Sequence, residues 1–240
     1  MWNRKELKAR GKAAFRANYW PSVLAALILT VLTTGVSAAS GASSANATSD
    51  QTGGLTELLE TTPIWVILLV FAIAIGMAIL FSIVATLIVA LLLNPLEVGC
   101  QRFFLVNSNG SARLGELGYG YKANYLNMVK TILLRDVFIW LWSLLFVIPG
   151  FIKLYSYRLV PFILSENPDI GSREAITLSK EMMDGHKWNA FILDLSFLGW
   201  DILACLSLGL VGLFYVGPYK CATDAELYKA IRDLSVKQAF

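Results

Sequence analysis

From Pro63 to Leu93 the chain runs without one charged side chain, well past the roughly 20 apolar residues that cross a ~30 Å hydrocarbon layer. An apolar run from Trp20 to Ala38 precedes it, and two more follow, Thr131 to Leu164 and Trp188 to Tyr219. By length alone these give four membrane helices, but charge changes the count. If each of the last two runs crossed once, Arg173, Lys180 and Lys187 would lie opposite the basic N-terminus, against the tendency of Lys and Arg to stay on the inner side. Pro149-Gly150 breaks one run near its middle, and Gly209 and Gly212 break the other. The pattern therefore predicts an all-α, polytopic transmembrane helical bundle of six helices in three hairpins, with the fourth and sixth helices short and partly re-entrant.

The stretches between the runs complete a single membrane domain over residues 1–240. Residues 1–18 mix Arg4, Lys5, Lys8, Arg10, Lys12 and Arg16 with Trp2, Leu7 and Phe15, which predicts a basic interfacial helix on an anionic inner leaflet. No further Lys or Arg occurs before Arg102. A cleavable signal peptide ending near Val36, Ser37 and Ala38 has the same outline, but the long charged region and the Tyr19-Trp20 interface pair favour a retained helix. Residues 39–62, rich in Ser, Ala, Thr and Gly, predict a flexible outer loop that includes the sequon Asn46-Ala47-Thr48. Residues 94–130 and 165–187 read as inner loops. The second contains a short helix from Arg173 to Met183 that presents Ile176, Ser179 and Met183 to the membrane or a partner. Asn94-Pro95, Val160-Pro161 and Gly217-Pro218 each close an apolar run, either as a threefold repeat or as proline ending three helices.

Small or polar residues recur every fourth position along the longest run: Ala74, Ala78, Ser82, Thr86, Ala90 and Asn94. Such a ladder lets a neighbouring backbone approach closely, and it predicts a helix-packing seam.

The composition, 56% hydrophobic and 15% charged with a net charge of +3, leaves little for soluble chemistry. The basic residues cluster at the ends of apolar runs, so they follow topology and do not point to nucleic acid. Cys100, Cys205 and Cys221 stand singly and read as packing residues. With His186 as its one histidine the chain builds no His-based metal pair, and neither a nucleophile elbow nor a phosphate loop appears. No catalytic residue, cofactor or metal is expected. The unusual chemistry is Arg135, Asp136, Lys153, Arg158, Asp194 and Asp201, all inside apolar runs, where an unpaired charge is expensive. They read as structural ion pairs, or as a polar cavity that binds a substrate, ion or lipid headgroup. Counting depth at ~1.5 Å per residue pairs Arg158 with Asp201 and Arg135 with Asp194, and the seven-residue spacing puts Asp194 and Asp201 on one helix face.

Local words then become specific. Pro149-Gly150 with Lys153, Tyr155, Ser156 and Tyr157, then Ser179-Lys180 with Met182, Met183 and Gly185, then Ser196-Phe197 with Gly199-Trp200, and Pro218-Tyr219 with Ala225, Glu226 and Tyr228 resemble the bacterial membrane-protein family catalogued as domain of unknown function 975. The resemblance covers residues 1–230 and is strongest from Pro149 onward. More distantly, the layout is similar to the membrane region attached to some glycerophosphodiester phosphodiesterases, whose catalytic barrel is missing here. The resemblance implies a multi-pass protein of a bacterial plasma membrane with both termini cytoplasmic, and it supplies no reaction. The expected role is a non-enzymatic binding, scaffold or accessory subunit of a membrane or envelope process, with the lipid bilayer and a second membrane complex or a lipid as partners. The alternative is a small transporter or lipid-handling protein that uses the intramembrane charges.

Overall fold

A computed structural model describes residues 2–41, 63–207 and 209–238, and every regular element among them is helical. The elements are α1 (Arg4–Ala17), α2 (Tyr19–Gly41), α3 (Ile64–Asn107), a 3-10 turn (Leu114–Gly118) running into α4 (Tyr119–Lys122), α5 (Tyr125–Leu145), α6 (Val147–Ser156), α7 (Val160–Glu166), α8 (Ser172–Met182), α9 (Lys187–Leu195), α10 (Leu198–Leu206), a π turn (Gly212–Val216) and α11 (Gly217–Gln238). Of the expected outer loop, residues 39–41 belong to α2; residues 42–62, the sequon included, lie outside the described residues.

Burial divides the molecule along its helices. Leu7, Phe15, Phe103, Phe104, Phe162, Met183 and Leu227 belong to one buried core. Phe71, Phe81, Leu144, Phe151 and Leu206 are exposed apolar side chains. At the packed end α1 lies along α11, and α8 touches the same helix. Asn3 starts α1 by accepting a hydrogen bond from the Lys5 amide at 3.0 Å, satisfying a donor that a helix start leaves free.

Helix α3 joins the two regions. Its 44 residues measure ~66 Å at ~1.5 Å per residue. The apolar run closes at Asn94-Pro95, where the helix is expected to end, but the helix continues to Asn107. A proline removes one helical hydrogen bond and need not stop a helix whose next turns are buried, as Val98, Cys100, Phe103 and Phe104 are here. Pro161, by contrast, sits at the start of its helix, where the missing N–H costs nothing. Pro218 is likewise the second residue of α11, so of the three proline exits only Pro95 lies inside a helix.

Among the described residues two helical stretches are long and apolar enough to cross a membrane, Ile64–Ser82 with 19 residues and Lys187–Leu206 with 20. A six-span bundle thus exceeds what helix length supports. The shortfall has a physical cause in the returning legs: α6 has 10 residues, ~15 Å of helix against a ~30 Å layer. The hairpin between α5 and α6 turns at Phe146, whose φ of −157° and ψ of 145° are extended. Pro149 falls in the first turn of the returning helix and favours its start. A Cβ on Gly150 would stand 2.8 Å from the Cα of Ser143, so these legs touch backbone to backbone. Gly209, with φ +86°, turns the other hairpin.

Ile176, Ser179 and Met183 do not face outward. All three are buried, and Ser179 Oγ donates to the Ser156 carbonyl at 2.9 Å. The face expected to meet the membrane or a partner meets the chain's own core.

Candidate functional site

Where the exposed flanks of α5 and α6 reach the packed core, the helices leave a cavity of about 570 Å3 lined by Glu97, Arg135, Asp136, Tyr155, Arg158, Asp194 and the apolar Ile139, Trp140 and Leu154 among others. Five elements supply its charged framework. Glu97 stands on α3 just past Pro95, Arg135 and Asp136 on α5, Arg158 in the turn after α6, Asp194 near the end of α9, and Asp224 on α11.

Two arginines organise the charges. Arg135 grips Glu97 with two parallel bonds of 2.8 and 3.0 Å and donates through Nε to Asp136 at 2.8 Å. Arg158 grips Asp194 at 2.7 and 2.9 Å and reaches Asp224 at 2.7 Å, while the Tyr155 hydroxyl donates to Asp194 at 2.8 Å. Paired N–H···O contacts of this kind fix orientation as well as charge. Asp224 lies beyond the Pro218 exit; burial, against the pull of Arg158 and with Asp194 nearby, leaves its carboxyl raised to about 6.

Of the six charged residues expected to cluster, Arg135, Asp136, Arg158 and Asp194 line this cavity. Asp201 instead holds Lys220, at 2.7 and 2.8 Å. Lys153 lies over the Trp142 ring at 4.7 Å and 5.7 Å from the Tyr157 ring. The depth-matched pairs Arg158 with Asp201 and Arg135 with Asp194 do not form. Depth along a helix leaves its rotation open, and the break at Ser196–Phe197 between α9 and α10 turns Asp194 and Asp201 towards different partners. Sequence reasoning missed Glu97, Asp224, Tyr155 and the lining residue Gln101. For Glu97 a signal existed, since it is the first charged side chain after Glu60 and stands at the end of the longest apolar run.

The small-residue ladder divides as the molecule does. Ala74, Ala78 and Ser82 lie on the exposed stretch of α3, the side chain of Thr86 is outside the described residues, and Ala90 and Asn94 are buried.

Residues 146–235 match the family described as protein of unknown function (DUF975). All the words that carried the resemblance fall inside this span, while residues 1–145 lie outside it. The DUF975-matching region holds the Tyr155, Arg158, Asp194 and Asp224 half of the charged framework; Glu97, Arg135 and Asp136 come from the chain before it. No curated protein and no solved structure matches the chain.

Proposed function

We propose that this chain is a multi-pass protein of a bacterial plasma membrane that binds a ligand without transforming it, as a binding, scaffold or accessory subunit of a membrane or envelope process. Three hairpins enter the bilayer, and both termini stay on the inner side. The observation that carries the reading is the position of the charged cavity, at the level where exposed apolar helix surface gives way to buried core. Charges at that level are costly unless paired or hydrated. Pairs made for cohesion alone would close on themselves, whereas these border a space in the size range of ligand sites. The packing of α1 and α8 against α11 adds support, because it gathers the basic termini and Lys180 at one end, as the charge rule asks.

One observation favours the alternative, a lipid-handling protein: the cavity shares Ile139, Ser143 and Leu154 with a smaller apolar pocket between α5 and α6.

The test joins fractionation, labelling and ligand retention. The chain should stay in carbonate-washed membranes and leave them only with detergent. In a background without native cysteines, an impermeant thiol reagent on intact cells should label a cysteine at position 44 and spare one at 180. A small molecule should copurify unchanged and be lost in the Arg158→Gln/Asp194→Asn variant. Release into the carbonate wash ends the membrane reading. Solute uptake by reconstituted vesicles that depends on Asp194 replaces binding with transport.

A further inference from the structure

The charged cavity holds acceptors that nothing in it answers. All three guanidinium nitrogens of Arg135 are engaged by Glu97 and Asp136, both terminal nitrogens of Arg158 by Asp194 and Asp224, and the Tyr155 hydroxyl by Asp194. On the other side of the balance, Gln101 lines the cavity with its Oε1 buried and without a hydrogen-bond partner. Asp136 keeps nearly half of its side chain exposed, 47%, with only Oδ1 in the Arg135 pair. Three lining carboxylates face two lining arginines, which leaves one negative charge over. A phosphate or carboxylate entering here would add to that surplus of negative charge. A protonated primary amine answers both features, with N–H donors for the open acceptors and a positive charge for the surplus carboxylate.

The cavity also points to what carries that amine. Ile139, Ser143 and Leu154 belong both to it and to a second pocket of about 160 Å3, completed by Gly150 and Phe151 and lined chiefly by carbon. Phe151 is exposed, so this pocket opens sideways on the apolar flank. A small water-soluble amine would leave it empty. Tyr157, a lining residue, lies 5.7 Å from the ammonium of Lys153, which stands over the Trp142 ring, and among the described residues no carboxylate pairs with that ammonium. That is the complement of a phosphodiester.

We infer that the cavity binds an ammonium-bearing phospholipid, its amine between Asp136 and Gln101, its phosphate at Lys153 and an acyl chain in the groove between α5 and α6. This rests on the reading of the chain as a membrane-embedded binding protein and names the ligand class of the same site.

The experiment is lipid retention by the full chain in nanodiscs, read by native mass spectrometry after partial delipidation. Phosphatidylethanolamine, phosphatidylcholine and phosphatidylglycerol of identical chains are compared, with ethanolamine and spermidine as chain-free competitors. Phosphatidylethanolamine should be retained about tenfold or more over phosphatidylcholine, the worth of one or two charge-assisted hydrogen bonds. Asp136→Asn should abolish that preference, and Leu154→Trp, which fills the junction of the two pockets, should abolish retention of every lipid. Neither free amine should compete. Equal retention of the ethanolamine and choline lipids overturns the inference, as does preference for the glycerol lipid. Competition by spermidine at the lipid's own concentration assigns the site to soluble amines and overturns it too. Should Leu154→Trp fail to fold, the wild-type lipid panel and the half-exposed Asp136→Asn decide alone. Failure of lipid selection in a chain that survives the carbonate wash sinks this inference only, whereas release into the wash sinks the membrane reading itself.

Discussion

The hydroxyl of Tyr125 donates to the carbonyl of Leu91 at 2.8 Å. Leu91 stands four residues before Pro95, so its carbonyl is the acceptor that the proline, lacking an N–H, leaves without a helical partner. The neighbouring Tyr121 hydroxyl donates to the Leu92 carbonyl. Two tyrosines around the start of α5 thus mend the backbone of α3 at the point where exposed apolar surface ends and core begins.

Tyr125→Phe should therefore lower the melting temperature of the detergent-solubilised chain by an amount equivalent to about 1 kcal/mol, the net worth of one hydrogen bond. Pro95→Ala restores the N–H, and in that background the same Tyr125→Phe change should cost nothing. An equal loss in both backgrounds would assign the tyrosine to packing.

Arg158→Leu should be worse than Arg158→Leu combined with Asp194→Leu, because the single change leaves Asp194 and Asp224 facing each other without their shared cation. The pair is half-buried, so breaking it should cost less than the roughly 3 to 5 kcal/mol of a fully buried one. Folded yield and melting temperature across the cycle give the coupling. Arg158→Leu with Asp201→Leu serves as control, and its two losses should simply add, since Asp201 answers to Lys220.

Gly150→Ala places a Cβ 2.5 Å from Ser143 Oγ and 2.8 Å from Ser143 Cα, and it should destabilise by about 1 to 3 kcal/mol through overpacking. At Gly199 an added Cβ meets nothing within 4 Å, so Gly199→Ala should be neutral or mildly stabilising. Thermal melts of the two variants side by side check the closeness of the α5–α6 hairpin.

Burial pushes the His186 imidazole below its usual 6.5, beside the Trp2 ring at 6.5 Å between centroids. A base held below its unfolded value favours the neutral form when folded. It contributes stability that is complete above 6.5 and lost as pH falls through the lowered value. The melting temperature should therefore fall faster for the wild type than for His186→Gln between pH 7 and the acid side of that value. Parallel curves would sever His186 from the effect.

How far the sequence could be read differs between elements. The run from Ile64, the basic α1 and the turn at Gly209 were legible because each depends on local composition or on one residue's backbone freedom. The end of α3 was not, since Pro95 acts through a tertiary contact with Tyr125, and no local pattern announces a tyrosine thirty residues further on. In the site, Arg135, Asp136, Arg158 and Asp194 stood out because charges are rare in apolar runs. Asp224 did not, for in a polar tail a carboxylate carries no signal until α11 folds back on the turn that holds Arg158. The pairing was unreadable for the same reason: sequence fixes depth along a helix, and packing fixes its rotation.

The π turn at Gly212–Val216, closed by the Gly217 amide on the Gly212 carbonyl, has a bearing on length. A turn of this kind accommodates one residue more than α-helical geometry needs, bulged outward so that the helix on either side keeps its phase. Lys220 and Asp224 follow it directly, and their aim at Asp201 and Arg158 depends on that phase. Loss of one residue inside the turn would convert it to ordinary helix and leave both aims intact, whereas the same deletion at Tyr219 would swing every later side chain by about a hundred degrees. This leg of the chain has one place where it can grow shorter without changing whom it faces.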